Sequence, residues 1–139
     1  MMTFVFSVGT TLVTNRVYLR FDRVALGTAR IPPDGSGALD SFRSRDGVDL
    51  IVGHFDFPSH EAARVAFQDM VAGAERIVER EVIYDREAKR TTGERVVIKD
   101  HIGRGLDAAI IILDDTRLYE FCSTSLRHAL SFERSHRRY

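Results

Sequence analysis

The feature of the sequence that most constrains the fold is an unbroken run of six apolar residues at positions 108–113, bounded by Asp107 and Asp114. A strand with one face in water alternates apolar and polar side chains. A short continuous run rich in β-branched residues is instead typical of a strand buried on both faces. We therefore expect residues 108–113 to form the centre of a sheet that is covered on both sides.

Other stretches of the chain supply strands for such a sheet. The strands are predicted at residues 3–8, 17–22, 48–57, 77–84, 94–100, 108–113 and 118–122. The fourth and fifth of these are expected to form a long-looped hairpin, and the last two a tight one. Within the third strand, alternation places His54 and Asp56 on the same side.

Two amphipathic helices are predicted as well. Ser59 is a suitable N-cap for the first, Glu61 places an acid in its first turn, and apolar residues then recur at spacings of three and four. We expect this helix to end near Arg76, because a longer one would place like charges four residues apart. The second helix is predicted to follow Ser123 or Thr124, either of which is a suitable cap.

Residues 28–47 break the pattern, since they contain Pro32-Pro33-Asp34-Gly35 and no apolar periodicity, and we expect a flexible loop there. Residues 1–139 fit a single domain. N-terminal strands, a helix, a meander of about four antiparallel strands and a closing helix are typical of the α+β class. The predicted fold is thus an antiparallel sheet packed against two helices.

Composition excludes several classes of function. The net charge of zero argues against a nucleic-acid partner, which favours a basic domain or face. The single cysteine, Cys122, excludes an internal disulfide and fits a reducing, cytoplasmic location. No stretch approaches the roughly 18 apolar residues of a spanning helix, so no membrane partner is expected. Gly103-Arg104-Gly105 lacks the glycine spacing and the lysine of a phosphate-binding loop, and we expect no cofactor.

Two sets of side chains are candidates for chemistry. His54, Asp56 and His60 have the residue types of a facial iron triad, but that use belongs to a larger, mostly β scaffold, so we expect no metal site. Asp56 with His54, His101 or Tyr84 is the candidate acid–base set, inside a cup formed by the sheet and a helix. Nothing in the sequence orients these groups toward one another.

Two functions from different classes therefore stay open. If both helices cover one face of the sheet, the other face needs residues 1–26, the loop or a second copy, and this argument favours a homodimer. The preferred hypothesis is a non-enzymatic binding or interaction module that self-associates and has a small-molecule or protein ligand. The alternative is a small cup-shaped enzyme of isomerase or hydrolase type. An enclosed site around Asp56 would support the enzyme, and a flat apolar patch would support the module.

Overall fold

The computed structural model describes residues 20–24, 31–101 and 107–136, which form one antiparallel sheet with two helices. In chain order the elements are β1 (Phe21–Val24), β2 (Ser36–Ser44), β3 (Asp49–Asp56), α1 (His60–Ala72), β4 (Ala74–Asp85), β5 (Arg90–His101), β6 (Ala108–Asp114), β7 (Arg117–Ser123) and α2 (Leu126–His136). The predicted α+β class is confirmed. The strand predicted at residues 3–8 and the start of the one at 17–22 lie outside the described residues.

The seven described strands lie in the order β1-β2-β3-β7-β6-β5-β4, and every neighbouring pair is antiparallel. The four strands after α1 form the predicted meander, since each pairs with the next in sequence. β7 then returns beside β3 and joins the meander to the earlier strands. β6 therefore lies inside the sheet, as its apolar run predicts, whereas β4 lies at one end.

The two helices cover opposite faces of the sheet. α1 packs on a layer of buried side chains that includes Phe55 and Ile111. α2 packs on the other layer, which includes Leu50 and Ile110. Successive residues of β6 point alternately to the two layers, and all six apolar residues of the run are buried.

This arrangement corrects the expectation that both helices lie on one face. A strand that is apolar on both sides offers each helix an apolar surface of its own, and each helix has one apolar stripe to bury. Among the described residues, the centre of the sheet is thus covered on both sides by the same chain. The uncovered face on which the expected homodimer depends is not found there, and any case for self-association needs another surface.

Residues 28–47 are not one long loop, because Ser36–Ser44 is a strand that pairs with both β1 and β3. Residues 28–30 lie outside the described part of the chain. β2 consists mainly of small and polar residues, so strand propensity does not predict it. Gly37 has φ +152°, and a Cβ atom there would lie 2.0 Å from the carbonyl oxygen of His54. The close approach of β2 to β3 therefore requires a glycine in the strand.

Ser59 caps α1 as predicted, because its side chain accepts a hydrogen bond from the Ala62 N–H at 3.1 Å. The helix ends at Ala72, before the predicted end near Arg76. Residues from Ala74 onward pair with β5, and this long-range pairing overrides the helical spacing that continues in the sequence.

α2 begins at Leu126, and its cap is Ser125 rather than Ser123 or Thr124. Ser125 Oγ accepts a hydrogen bond from the backbone N–H of His128 at 3.3 Å. Neither α1 nor α2, the helices of the described residues, is long and apolar enough to cross a membrane.

Candidate functional site

His54 and Asp56 lie on the α2 side of β3, as alternation predicts, but both are exposed and each has a partner on β7. The His54 ring stacks on the ring of Tyr119, with 5.0 Å between centroids and 2° between planes. Asp56 Oδ1 lies 3.5 Å from Arg117 Nε. These direct cross-strand contacts account for the position of both side chains.

Tyr84 and His101 do not join this pair. Tyr84 lies in β4, and three strands separate β4 from β3, which corresponds to about 19 Å at a strand spacing of about 4.8 Å. His101 ends β5 at the end of the sheet that holds Ser123, whereas Asp56 lies at the other end. The side chain of His101 lies outside the described residues. The predicted acid–base set is therefore not assembled around Asp56.

The alternative metal set is not assembled either. His60 Nδ1 lies 2.9 Å from the carbonyl oxygen of Asp115, in the turn between β6 and β7. Across residues 20–24, 31–101 and 107–136, no group of three or more His, Cys, Asp or Glu side chains is placed to hold a metal ion. His54, Asp56 and His60 all belong to that part of the chain.

A polar cluster that no local sequence pattern indicates joins the turn between β2 and β3 to the start of α2. His128 is buried, and its Nε2 lies 3.0 and 3.1 Å from the two carboxylate oxygens of Asp46. Its Nδ1 lies 2.7 Å from Ser125 Oγ. A carboxylate only accepts hydrogen bonds, so the Nε2–H donates to Asp46. In the neutral ring, Nδ1 then accepts from the Ser125 hydroxyl.

The same arrangement, a hydroxyl hydrogen-bonded to an imidazole that is hydrogen-bonded to a carboxylate, activates the serine nucleophile of hydrolases. Here, however, Ser125 Oγ also caps α2, and the Ser125 N–H donates to Ser123 Oγ at 3.1 Å. Ser44 Oγ donates to Asp46, and the hydrogen bonds from Ser44 and then His128 lower the pKa of the Asp46 carboxyl. These contacts fasten α2 to the sheet, and we assign the cluster a structural role.

A buried ion pair holds α2 at a second point. Arg95 Nε and Nη2 lie 2.6 and 2.7 Å from the two carboxylate oxygens of Glu133, and both residues are buried. Arg95 Nη1 lies 3.1 Å from Glu79 and 3.5 Å from Glu81, two half-exposed residues of β4. The hydrogen bonds to Glu133 raise the pKa of Arg95, so its guanidinium stays charged. Arg95 thus connects the last helix to the end strand of the sheet.

On the opposite face, Glu120 is buried in the layer beneath α1. Its neighbours on the adjoining strands are Gly53 and Ile111. Alternation in β7 puts Glu120 on the same side as Leu118 and Cys122, which pack in that layer. The alternation of side chains along β7 therefore predicts, from the sequence, that the carboxylate of Glu120 is buried.

Among the described residues, those of β4 form the surface richest in exposed apolar side chains. Six large apolar side chains of the described residues are exposed, and four belong to this strand: Ile77 (44%), Val78 (48%), Val82 (62%) and Tyr84 (57%). β4 is 12 residues long and pairs with β5 on one side, and no described strand pairs with its other side. Within residues 20–24, 31–101 and 107–136, its outer N–H and C=O groups are therefore left for pairing with another strand.

Comparisons with protein-family models, with curated proteins and with solved structures found no match.

Proposed function

We propose that the protein is a non-enzymatic interaction module that self-associates through the outer edge of β4. The observation that carries this proposal is the exposure of Ile77, Val78, Val82 and Tyr84 along one strand at the end of the sheet. Soluble proteins usually keep such edges short, charged or covered, because open apolar edges pair with other strands. A second copy offers an identical edge, so one symmetric contact covers both.

β4 also carries features that restrict which strand can pair with it. Glu79, Arg80 and Glu81 follow one another in the strand. The register with β5 shifts between Ile77 and Glu79, so Val78 forms a bulge. Charges and bulges oppose indiscriminate edge pairing. The edge therefore favours a partner with a matching pattern of charges over general aggregation.

The proposed ligand is a protein chain rather than a small molecule. An edge strand offers a row of backbone donors and acceptors, which suits an extended chain, whereas small molecules bind in enclosed sites. We also propose a cytoplasmic location. The single cysteine, Cys122, supports it, because the chain contains no second cysteine for an internal disulfide.

Sedimentation velocity at micromolar concentration tests the proposed self-association. We expect a species of twice the 15.7 kDa of one chain. Val82→Lys places a charge among the apolar residues of the edge and should give a monomer. Val65→Lys is the matched control, because Val65 is also exposed but lies on α1, and this variant should stay dimeric.

Two results would contradict the proposal. One is a wild-type chain that sediments as a monomer at every concentration tested. The other is a Val82→Lys variant that folds and still dimerises as tightly as Val65→Lys.

A further inference from the structure

We propose that two copies of β4 pair antiparallel in one register, with Glu81 on the twofold axis. This inference rests on the proposed self-association and fixes how the second copy is aligned. When identical antiparallel strands pair about a twofold axis, the axis is perpendicular to the sheet. Residues that face each other then lie on the same side of the sheet. The two sides of β4 therefore limit the registers that are available.

Contacts within the chain define the α2 side of β4. Glu79 and Glu81 both reach Arg95, which is bonded to Glu133 of α2. Ile83 packs in the apolar layer beneath the same helix. These three residues of β4 therefore share one side.

The α1 side is defined by pairing with β5. Arg80 is opposite Val96, and Ile77 is opposite Ile98, and both partners pack in the layer beneath α1. Alternation then assigns the rest of the strand. The α2 side carries Arg76, Glu79, Glu81, Ile83 and Asp85, and the α1 side carries Ile77, Arg80, Val82 and Tyr84.

With Glu81 on the axis, the residues near the two ends of the strand face partners of matching character. Val78 forms the bulge and is left out of the pairing, so Arg76 faces the partner's Asp85, and by symmetry this pair of opposite charges occurs twice. Ile77 faces the partner's Tyr84, also twice, so exposed apolar side chains cover one another. The other facing pairs are Glu79 with the partner's Ile83 and Arg80 with the partner's Val82.

Two neighbouring registers match the charges less well. With Arg80 on the axis, the two Arg80 side chains face each other, and Glu79 faces the partner's Glu81 twice. With Val82 on the axis, Glu79 faces the partner's Asp85 twice. Like charges directly opposite each other destabilise a strand pair, whereas opposite charges stabilise it. Both registers are therefore disfavoured relative to the one centred on Glu81.

One like-charge contact is left at the axis, between the two Glu81 side chains. Each lies 3.5 Å from Nη1 of Arg95 in its own chain, so a guanidinium accompanies each carboxylate. A register with Glu79 on the axis also has one such contact, and in it Glu81 faces the partner's Arg76 twice, so its charges match equally well. There, however, Tyr84 faces a position before Ala74, where the strand begins, and its exposed ring stays uncovered.

Single cysteines test the register in the full chain. A residue on the axis faces its own copy, with Cβ atoms about 4.5–5.5 Å apart, close to the spacing of a disulfide. Glu81→Cys should therefore give a disulfide-linked dimer under mild oxidation. Glu79→Cys, Arg80→Cys and Val82→Cys should not, since each faces a different residue. The unmodified chain, with buried Cys122, is the control.

The outcomes separate this inference from the proposed function. A dimer that is linked through one of the three neighbouring positions instead of Glu81 overturns the register and keeps the β4 interface. A dimer in solution that none of the four variants links overturns the β4 interface as well. A chain that stays monomeric overturns both.

Charge changes give a second test without a covalent link. Arg76→Glu would face the partner's Asp85 and should weaken the dimer about 10-fold, because two symmetric contacts change sign. Adding Asp85→Asn removes the repulsion and should restore most of the affinity. The asparagine keeps the acceptor that Asp85 Oδ1 offers to the Glu87 N–H at 2.9 Å, so the hairpin turn is preserved.

Arg127→Glu is the control for this charge change, because Arg127 is exposed on α2, away from β4. It should leave the dimer affinity unchanged. Equal weakening by Arg127→Glu, or no rescue by Asp85→Asn, would overturn the assigned pairing of Arg76 with Asp85.

Discussion

Strands β6 and β4 both carry apolar residues on two sides, yet the sheet places them in different surroundings. The apolar residues of β6 are buried, because the helices lie over the middle of the sheet, α1 on one face and α2 on the other. β4 lies at the end of the sheet, with β5 between it and β6, and the side chain of Val82 in β4 is more than half exposed. The difference is one of position in the sheet rather than of composition.

The chain buries the apolar side chains of its central strand with its own helices, but it leaves those of its end strand exposed. At the centre, two helices bury a strand that is apolar on both sides. At the edge, we propose that a second copy does so. Arg95 contacts both regions, since it pairs with buried Glu133 of α2 and with half-exposed Glu79 of β4. The two regions therefore predict different effects for changes of the same chemical kind.

The largest effect is expected for Glu133→Ala, which leaves the buried guanidinium of Arg95 without its bidentate partner. The free energy of unfolding should fall by about 3–5 kcal/mol. Glu79→Ala removes an exposed contact of the same guanidinium and should cost less than about 1 kcal/mol. Urea unfolding at low protein concentration measures both. Equal losses in the two variants would show that Arg95 does not distinguish the covered region from the edge.

A smaller effect is expected for the two strands themselves. Ile111 is fully buried in β6, and Ile111→Ala should lower the free energy of unfolding by about 2–5 kcal/mol. Val82→Ala on β4 should cost less than about 0.5 kcal/mol in the monomer, since the side chain is exposed. The same urea titrations give both values. If Ile111→Ala costs less than about 0.5 kcal/mol, β6 is not the central strand of the core.

Elements with a local signal could be predicted from the sequence. The run at residues 108–113 gives β6, and Ser59 with its following apolar stripe gives the start of α1. β2 has no such signal, because Gly37 and small polar residues fill it and pairing with β3 defines it. The sides on which the helices lie were not predictable either, since an apolar stripe does not indicate which face of a sheet it covers.

The polar contacts of the fold could not be predicted from local sequence patterns either, because their partners are far apart in the sequence. Arg95 and Glu133 are 38 residues apart in sequence, and Asp46 and His128 are 82 apart. No periodicity brings such pairs together, and only the strand order and the return of α2 do so. The apolar residues of β4 were visible in the sequence, but their exposure follows from the position of β4 at the end of the sheet.

The smallest effect is expected at the contact between Asp46 and His128, and it depends on pH. Hydrogen bonds from Ser44 and His128 lower the pKa of Asp46 below its ordinary value of 3.8 in the folded chain. A carboxyl group with a lower pKa in the folded state stabilises the fold above its unfolded pKa. That contribution is lost as the pH falls through the folded pKa.

Asp46→Asn should therefore be slightly less stable than wild type at pH 7, with the difference shrinking below about pH 4. Urea unfolding between pH 7 and the acid limit of folding measures this, with the exposed Asp69→Asn on α1 as control. A difference between Asp46→Asn and wild type that stays constant over this range would show that the carboxylate of Asp46 does not hold α2 at the sheet.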